Sequence, residues 1–141
     1  LSERALCYTF FMEFPGEQKP FSIKKRAQSF RHAFRGICVF LKTQRNAWVH
    51  LCIALVAVVM GIFFSISVTE WLVIILCIGM VISAEAFNTA IEIHMDLTSP
   101  DQHPFARDTK DVAAGAVLII SLTAFAIGIA IFLPKIIFLF K

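Results

Sequence analysis

The stretch "WLVIILCIGMVISAEAFNTAIEIHMD", Trp71–Asp96, decides the fold. Its first thirteen residues carry no charge; Glu85, Asn88, Glu92 and Asp96 then follow at helical spacing. A helix turns about 100° per residue, so Glu85, Asn88, Thr89, Glu92 and Asp96 share an arc of roughly 100°. The other side is apolar, with Ala84, Ala86, Phe87, Ala90 and Ile91. A charged side chain in hydrocarbon costs about 2.5–3.5 kcal/mol on insertion scales. Such a stripe must therefore face other protein, water or a bound ion rather than lipid tails. The pattern predicts a membrane helix whose far end carries polar work.

Two further runs flank it. Leu51–Val68 and Val112–Leu133 contain no charged residue. A helix needs about 20 residues to cross the hydrocarbon core, and lipid forces backbone groups to pair within the segment. Spans are expected at about 49–68, 71–95 and 112–133. Hydrophobic residues make up 58% of the 141-residue chain, above the roughly 45–50% of soluble domains. An all-α membrane protein follows, a single domain over residues 19–141, with any site in or beside the bilayer. Residues 1–18 read as a leader of unknown role.

Residues 19–45 hold eight Lys or Arg and no acid. Within them Ile23, Ala27, Phe30, Phe34, Ile37 and Leu41 recur at spacings of 4, 3, 4, 3 and 4, which places them on one helical face. An amphipathic surface helix over about 21–43 is expected, lying on an anionic leaflet. The positive-inside rule puts this segment and the Arg107/Lys110 loop in the cytosol, and the Lys-free link Ser65–Glu70 outside. Pro100 and Pro104 predict a loop over Asp96–Asp111 rather than continuous helix. Ala124 with Gly128, and Ala126 with Ala130, are small-residue pairs that permit close helix approach. Cys7, Cys38, Cys52 and Cys77 make no CxxC pair and read as small buried hydrophobes. Nothing indicates a nucleic-acid partner.

On physical grounds the stripe has three readings: a polar network joining helices, an ion or proton pathway, or a catalytic site at the membrane surface. A small oligomeric conductor using Glu85 and Glu92 is the main rival to catalysis. Carboxylate and amide oxygens are hard ligands of the kind Mg²⁺ accepts, usually shared with substrate phosphates. Neither GxxxxGK[ST] nor GxGxxG occurs in the chain, so nucleotide would bind by another arrangement.

The E-x-x-N-[ST]-A-I-E core at Glu85–Glu92 and the K-D-x-x-A-G-A-V element at Lys110–Val117 resemble the small bacterial integral-membrane lipid kinases. These are the prokaryotic diacylglycerol kinases and undecaprenol kinases, and the resemblance covers about Phe21–Leu133. It implies ATP- and Mg²⁺-dependent phosphorylation of a membrane lipid alcohol, undecaprenol or diacylglycerol, at the cytosolic face of the bacterial inner membrane. It also implies a homotrimer with sites between protomers. Carried over by position, Glu85 is the general base toward the lipid hydroxyl and Glu92 a metal ligand. Asn88, His103, Lys110 and Asp111 fall on the nucleotide side. Gln44 occupies a place where many members carry an acid that assists metal binding; its carbonyl oxygen can still meet Mg²⁺, without adding charge. The loop and the R-N-x-x-x-H run at Arg45–His50 look closer to the undecaprenol-kinase branch.

Overall fold

The computed structural model describes residues 22–99 and 103–140, and these form four helices without strand. They are α1 (Ile23–Thr43), α2 (Arg45–Phe63), α3 (Val68–Thr98) and α4 (Pro104–Leu139). The last three are long and apolar enough to cross a membrane. The expected leader, residues 1–18, lies outside the described residues.

The chain divides into two units at Ala33–Phe34. In the first, the apolar side chains of Ile23 and Phe30 are exposed. The second holds the end of α1, where Phe40 is buried, and the three long helices. There α3 is central, packing chiefly on α4 and next on α2. The unit's apolar core lies around Ile66, Ile74 and Phe132, but the polar end of α3 is inverted relative to a water-soluble protein. Glu85 is the largest fully buried side chain, with Asn88 and Thr89 buried beside it, while Phe87 on the other side is exposed. Burying the polar stripe and exposing the apolar one is what hydrocarbon as solvent demands.

Helix ends differ from those read in the sequence. Val68, expected to close the first span, opens α3 instead. Ser67 caps that helix: its Oγ accepts from Glu70 N at 3.3 Å, and Glu70 Oε2 accepts from Ser67 N at 2.7 Å. This reciprocal capping box satisfies two backbone donors and fixes the helix start. The link before it is tight, with Ser65 at φ 48°. Gly61 packs there against the Trp71 ring so closely that a Cβ would lie 2.8 Å from Cη2.

The expected loop Asp96–Asp111 shrinks at both ends. Helix α3 runs on to Thr98, and α4 begins at Pro104, so Lys110 and Asp111 are helical. Proline at a first helical position loses no bond and already has helical φ. Read as a breaker, Pro104 is in fact a starter. Among the described cysteines, Cys38 and Cys52 are exposed rather than buried, and Cys77 is half-buried; all three are free.

An apolar groove of about 690 Å³ lies between α2, α3 and α4. Ala54, Cys77, Val81, Ile82, Ala124 and Gly128 line it. Of the two small-residue pairs on α4, Ala124 and Gly128 thus face the groove, whereas Ala126 and Ala130 are exposed.

Candidate active site

The polar stripe of α3 meets the rest of the protein at two levels. At the deeper level, Glu85 is 2% exposed and Asn88 6%. Glu85 Oε1 and Asn88 Oδ1 are buried without a hydrogen-bond partner among the described residues. A buried polar oxygen with no partner incurs an uncompensated desolvation cost of about 1–3 kcal/mol. Two on one helix face mark a place where the fold alone does not satisfy the chemistry. Thr89 does not relieve Glu85, because its hydroxyl donates to the Glu85 backbone carbonyl at 2.8 Å.

At the second level, two turns farther along the helix, Glu92 gathers two carboxamides. Asn88 Nδ2 donates to Glu92 Oε1 at 3.1 Å. Gln44 Nε2 donates to Glu92 Oε2. Gln44 reaches α3 because it stands in the one-residue break between α1 and α2. Ala47, one turn on, is wholly buried, and its small side chain lets α2 approach closely.

Lys110 forms a third contact, pairing with Asp96 between α4 and the end of α3. Lys110, Ala113 and Val117 fall at spacings of three and four on one face of α4, and the last two are buried. Asp111 is exposed and pairs with Arg107 at 3.7 Å, one turn back on the same helix. His103 is an exposed N-cap: its Nδ1 accepts from Phe105 N at 3.3 Å and its ring stacks on Phe105.

Of the site residues named from sequence, the structure thus joins Gln44, Asn88 and Glu92 in one network, with Glu85 buried on the same stripe. Lys110 comes in from α4 through Asp96. His103 and Asp111 lie on the exposed first turns of α4. Asp96, which the motif does not single out, is what joins Lys110 to the stripe; its place on the stripe was the available signal.

The donor set suits a hard divalent cation. Glu92 and Asn88 Oδ1 supply oxygens of the type Mg²⁺ prefers. Among the described residues no three His, Cys, Asp or Glu side chains converge on one point. The fit is to an ion shared with ligand oxygens rather than held in an all-protein cage.

Residues 31–132 match the family described as prokaryotic diacylglycerol kinase. The chain belongs to that family. It is a lipid kinase. The kinase is 43% identical over 108 residues to an undecaprenol kinase of Bacillus subtilis, covering 77% of this chain and 88% of the relative. It is 32% identical over 129 residues to a diacylglycerol kinase of Synechocystis sp., covering 85% and 73%. A diacylglycerol kinase of Helicobacter pylori shares 26% identity over 106 residues, 70% of this chain and 83% of that one. No solved structure matches the kinase. With three apolar helices of spanning length, this family member is a membrane protein.

Proposed function

We propose that the kinase transfers the γ-phosphoryl group of ATP to the hydroxyl of a membrane lipid alcohol, with a polyprenol such as undecaprenol ahead of diacylglycerol. The observation that carries this reading is Glu85: a carboxylate buried in a membrane helix, with one oxygen unpartnered. It lies one turn from Val81 and Ile82, which line the apolar groove, and about 10 Å along the helix from Glu92. A lipid whose hydrocarbon follows the groove brings its hydroxyl to Glu85, while phosphates reach the Glu92 level from water.

The chain's residues divide the work accordingly. Glu85 accepts the hydroxyl proton as the lipid oxygen forms its bond to the γ-phosphorus and the bond from that phosphorus to the β-bridging oxygen breaks, releasing ADP. Glu92, held by Asn88 and Gln44, is the acid that meets Mg²⁺, and Asn88 Oδ1 is a second oxygen near it. Held there by Glu92 and Asn88, Mg²⁺ would neutralise phosphate charge, which is most of what catalysis of phosphoryl transfer requires beyond positioning. Lys110 contributes a cation on the nucleotide side, with His103 and Asp111 on the adjoining turns. By the positive-inside rule, the basic residues of α1 and of the first turns of α4 support a cytosolic N-terminus and a cytosolic site in a bacterial inner membrane. The exposed apolar faces of the long helices suit assembly into a homotrimer. The greater identity to the undecaprenol kinase supports the polyprenol preference.

The test is transfer of label from γ-labelled ATP in mixed micelles, with undecaprenol and diacylglycerol offered side by side, with and without Mg²⁺. Labelling of undecaprenol that needs Mg²⁺ and is lost in Glu85→Gln supports the reading. Ion flux through liposomes without ATP, and no labelling of either lipid, would replace it with the conductor.

A further inference from the structure

Gln44 directs its side chain away from its own helix. It occupies the single position between α1 and α2 with extended backbone, φ −108° and ψ 117°, and makes no side-chain cap to α2. At a helix start, Ser, Thr, Asp or Asn would turn its side chain back on the first free N–H groups. Here the carboxamide goes to Glu92 on α3 instead. The junction around it is fixed. Gln44 N donates to Phe40 O at 3.0 Å, and Trp48 Nε1 donates to Leu41 O at 3.0 Å. Phe40 and Ala47, on either side, are buried.

Opposite a carboxylate an amide can favourably present only its NH₂ group, because its carbonyl would set oxygen against oxygen. Each oxygen of Glu92 therefore receives one neutral donor, from Asn88 on its own helix and from Gln44 at the break. We propose that Gln44 is a positioning residue, which sets the orientation of the Glu92 carboxylate from the α1–α2 break and does so without neutralising it. This rests on the reading of Glu92 as the acid that meets a divalent cation. A carboxylate oxygen has two acceptor sites, so one amide bond on each leaves one on each for a hard cation. A lysine or arginine in this place would compete with the ion for the charge. A second carboxylate would repel the first until an ion came between them. The carboxamide orients the ligand and takes no charge.

The test uses the wild type, Gln44→Ala and Gln44→Glu in detergent micelles, with Mn²⁺ alone as the probe. Binding is followed by electron paramagnetic resonance, and thermal melting is recorded with and without the ion. Partners that orient a metal ligand tune affinity about 10- to 100-fold, so Gln44→Ala is expected to bind Mn²⁺ about tenfold or more weakly. It should also raise the Mg²⁺ needed for half-maximal turnover, with KM for the lipid unchanged. Gln44→Glu is expected to bind Mn²⁺ more tightly than the wild type, and without the ion to melt lower than the ion-free wild type. Equal Mn²⁺ affinity in all three proteins, or none in the wild type, overturns the proposal. Should the wild type label no lipid alcohol, the kinase chemistry above fails, while the Mn²⁺ titration still decides the part played by Gln44.

Discussion

Gln44 and Glu92 lie 48 positions apart, and the carboxamide of the first donates to the carboxylate of the second. That bond ties the break before the first long helix to the polar end of the second. Asn88 reaches the same carboxylate from four positions back. Glu85, proposed as the lipid-facing base, and Glu92, proposed as the phosphate-facing acid, thus sit on one helix, with their spacing set by helical geometry rather than by a loop. Pre-organisation of this kind is what phosphoryl transfer draws on.

Glu85→Gln is expected to lower kcat about 10²- to 10⁴-fold, the usual contribution of a positioned general base. The amide has nearly the shape of the acid and carries no charge to bury, so the variant should melt at or above the wild-type temperature. Labelled-ATP turnover and thermal melting on the same preparation check both. A loss of turnover accompanied by a lower melting temperature would assign Glu85 to the structure instead.

Lys110 and Asp96 form an exposed pair, and such pairs contribute about 0–1 kcal/mol. Asp96→Asn should therefore shift stability only within that range, with less effect at high salt. If Lys110 is the nucleotide-side cation proposed above, Lys110→Met should raise KM for ATP severalfold, whereas Asp96→Asn, which leaves the lysine in place, should not. Initial rates at varied ATP separate the two. An unchanged KM in Lys110→Met would leave Lys110 a role only in joining α3 to α4.

Much of this architecture was legible in the sequence, and the reasons are physical. Hydrocarbon admits few charges, so three uncharged runs announce three long helices. The period of 3.6 puts Glu85, Asn88 and Glu92 on one face before any coordinates. Helix ends were harder. Ser67 and Glu70 carry a capping-box spacing that a count of apolar residues passes over, and Pro104 has opposite meanings inside a helix and at its start. The pairing of Gln44 with Glu92 was out of reach as geometry, because no local rule connects residues on separate elements. The family resemblance pointed to Gln44 as a departure, but not to its amide nitrogen as the contacting atom.

Gly61→Ala is expected to destabilise the protein by about 1–3 kcal/mol, the usual penalty for overpacking. Its new Cβ would meet Trp71 Cη2 at 2.8 Å and Ile66 Cδ1 at 3.1 Å. The rigid indole cannot swing aside as a long aliphatic chain would. Trp71→Phe should make room, so the double variant should lose less than the sum of the two single changes. Denaturant unfolding in micelles measures the four corners of that cycle.

At the opposite end of α3, Glu70 serves two partners at once. Its Oε2 accepts from Ser67 N, and its Oε1 accepts from Lys135 Nζ at 2.9 Å, which ties the start of α3 to the end of α4. Ser67→Ala removes one half of the capping box and should cost about 1 kcal/mol. Glu70→Gln keeps an acceptor for Ser67 N but gives up the charge facing Lys135. Its effect should match that of Lys135→Met, and the double variant should be no worse than either alone. This end lies about 33 Å along the helix from Glu92, so all of these changes should lower the melting temperature while leaving kcat and the Mg²⁺ requirement of the folded protein as they are. A fall in kcat in folded Glu70→Gln would mean that the two ends of the bundle are mechanically coupled through α3 and α4, and that the ion pair holds the register on which Glu85 depends.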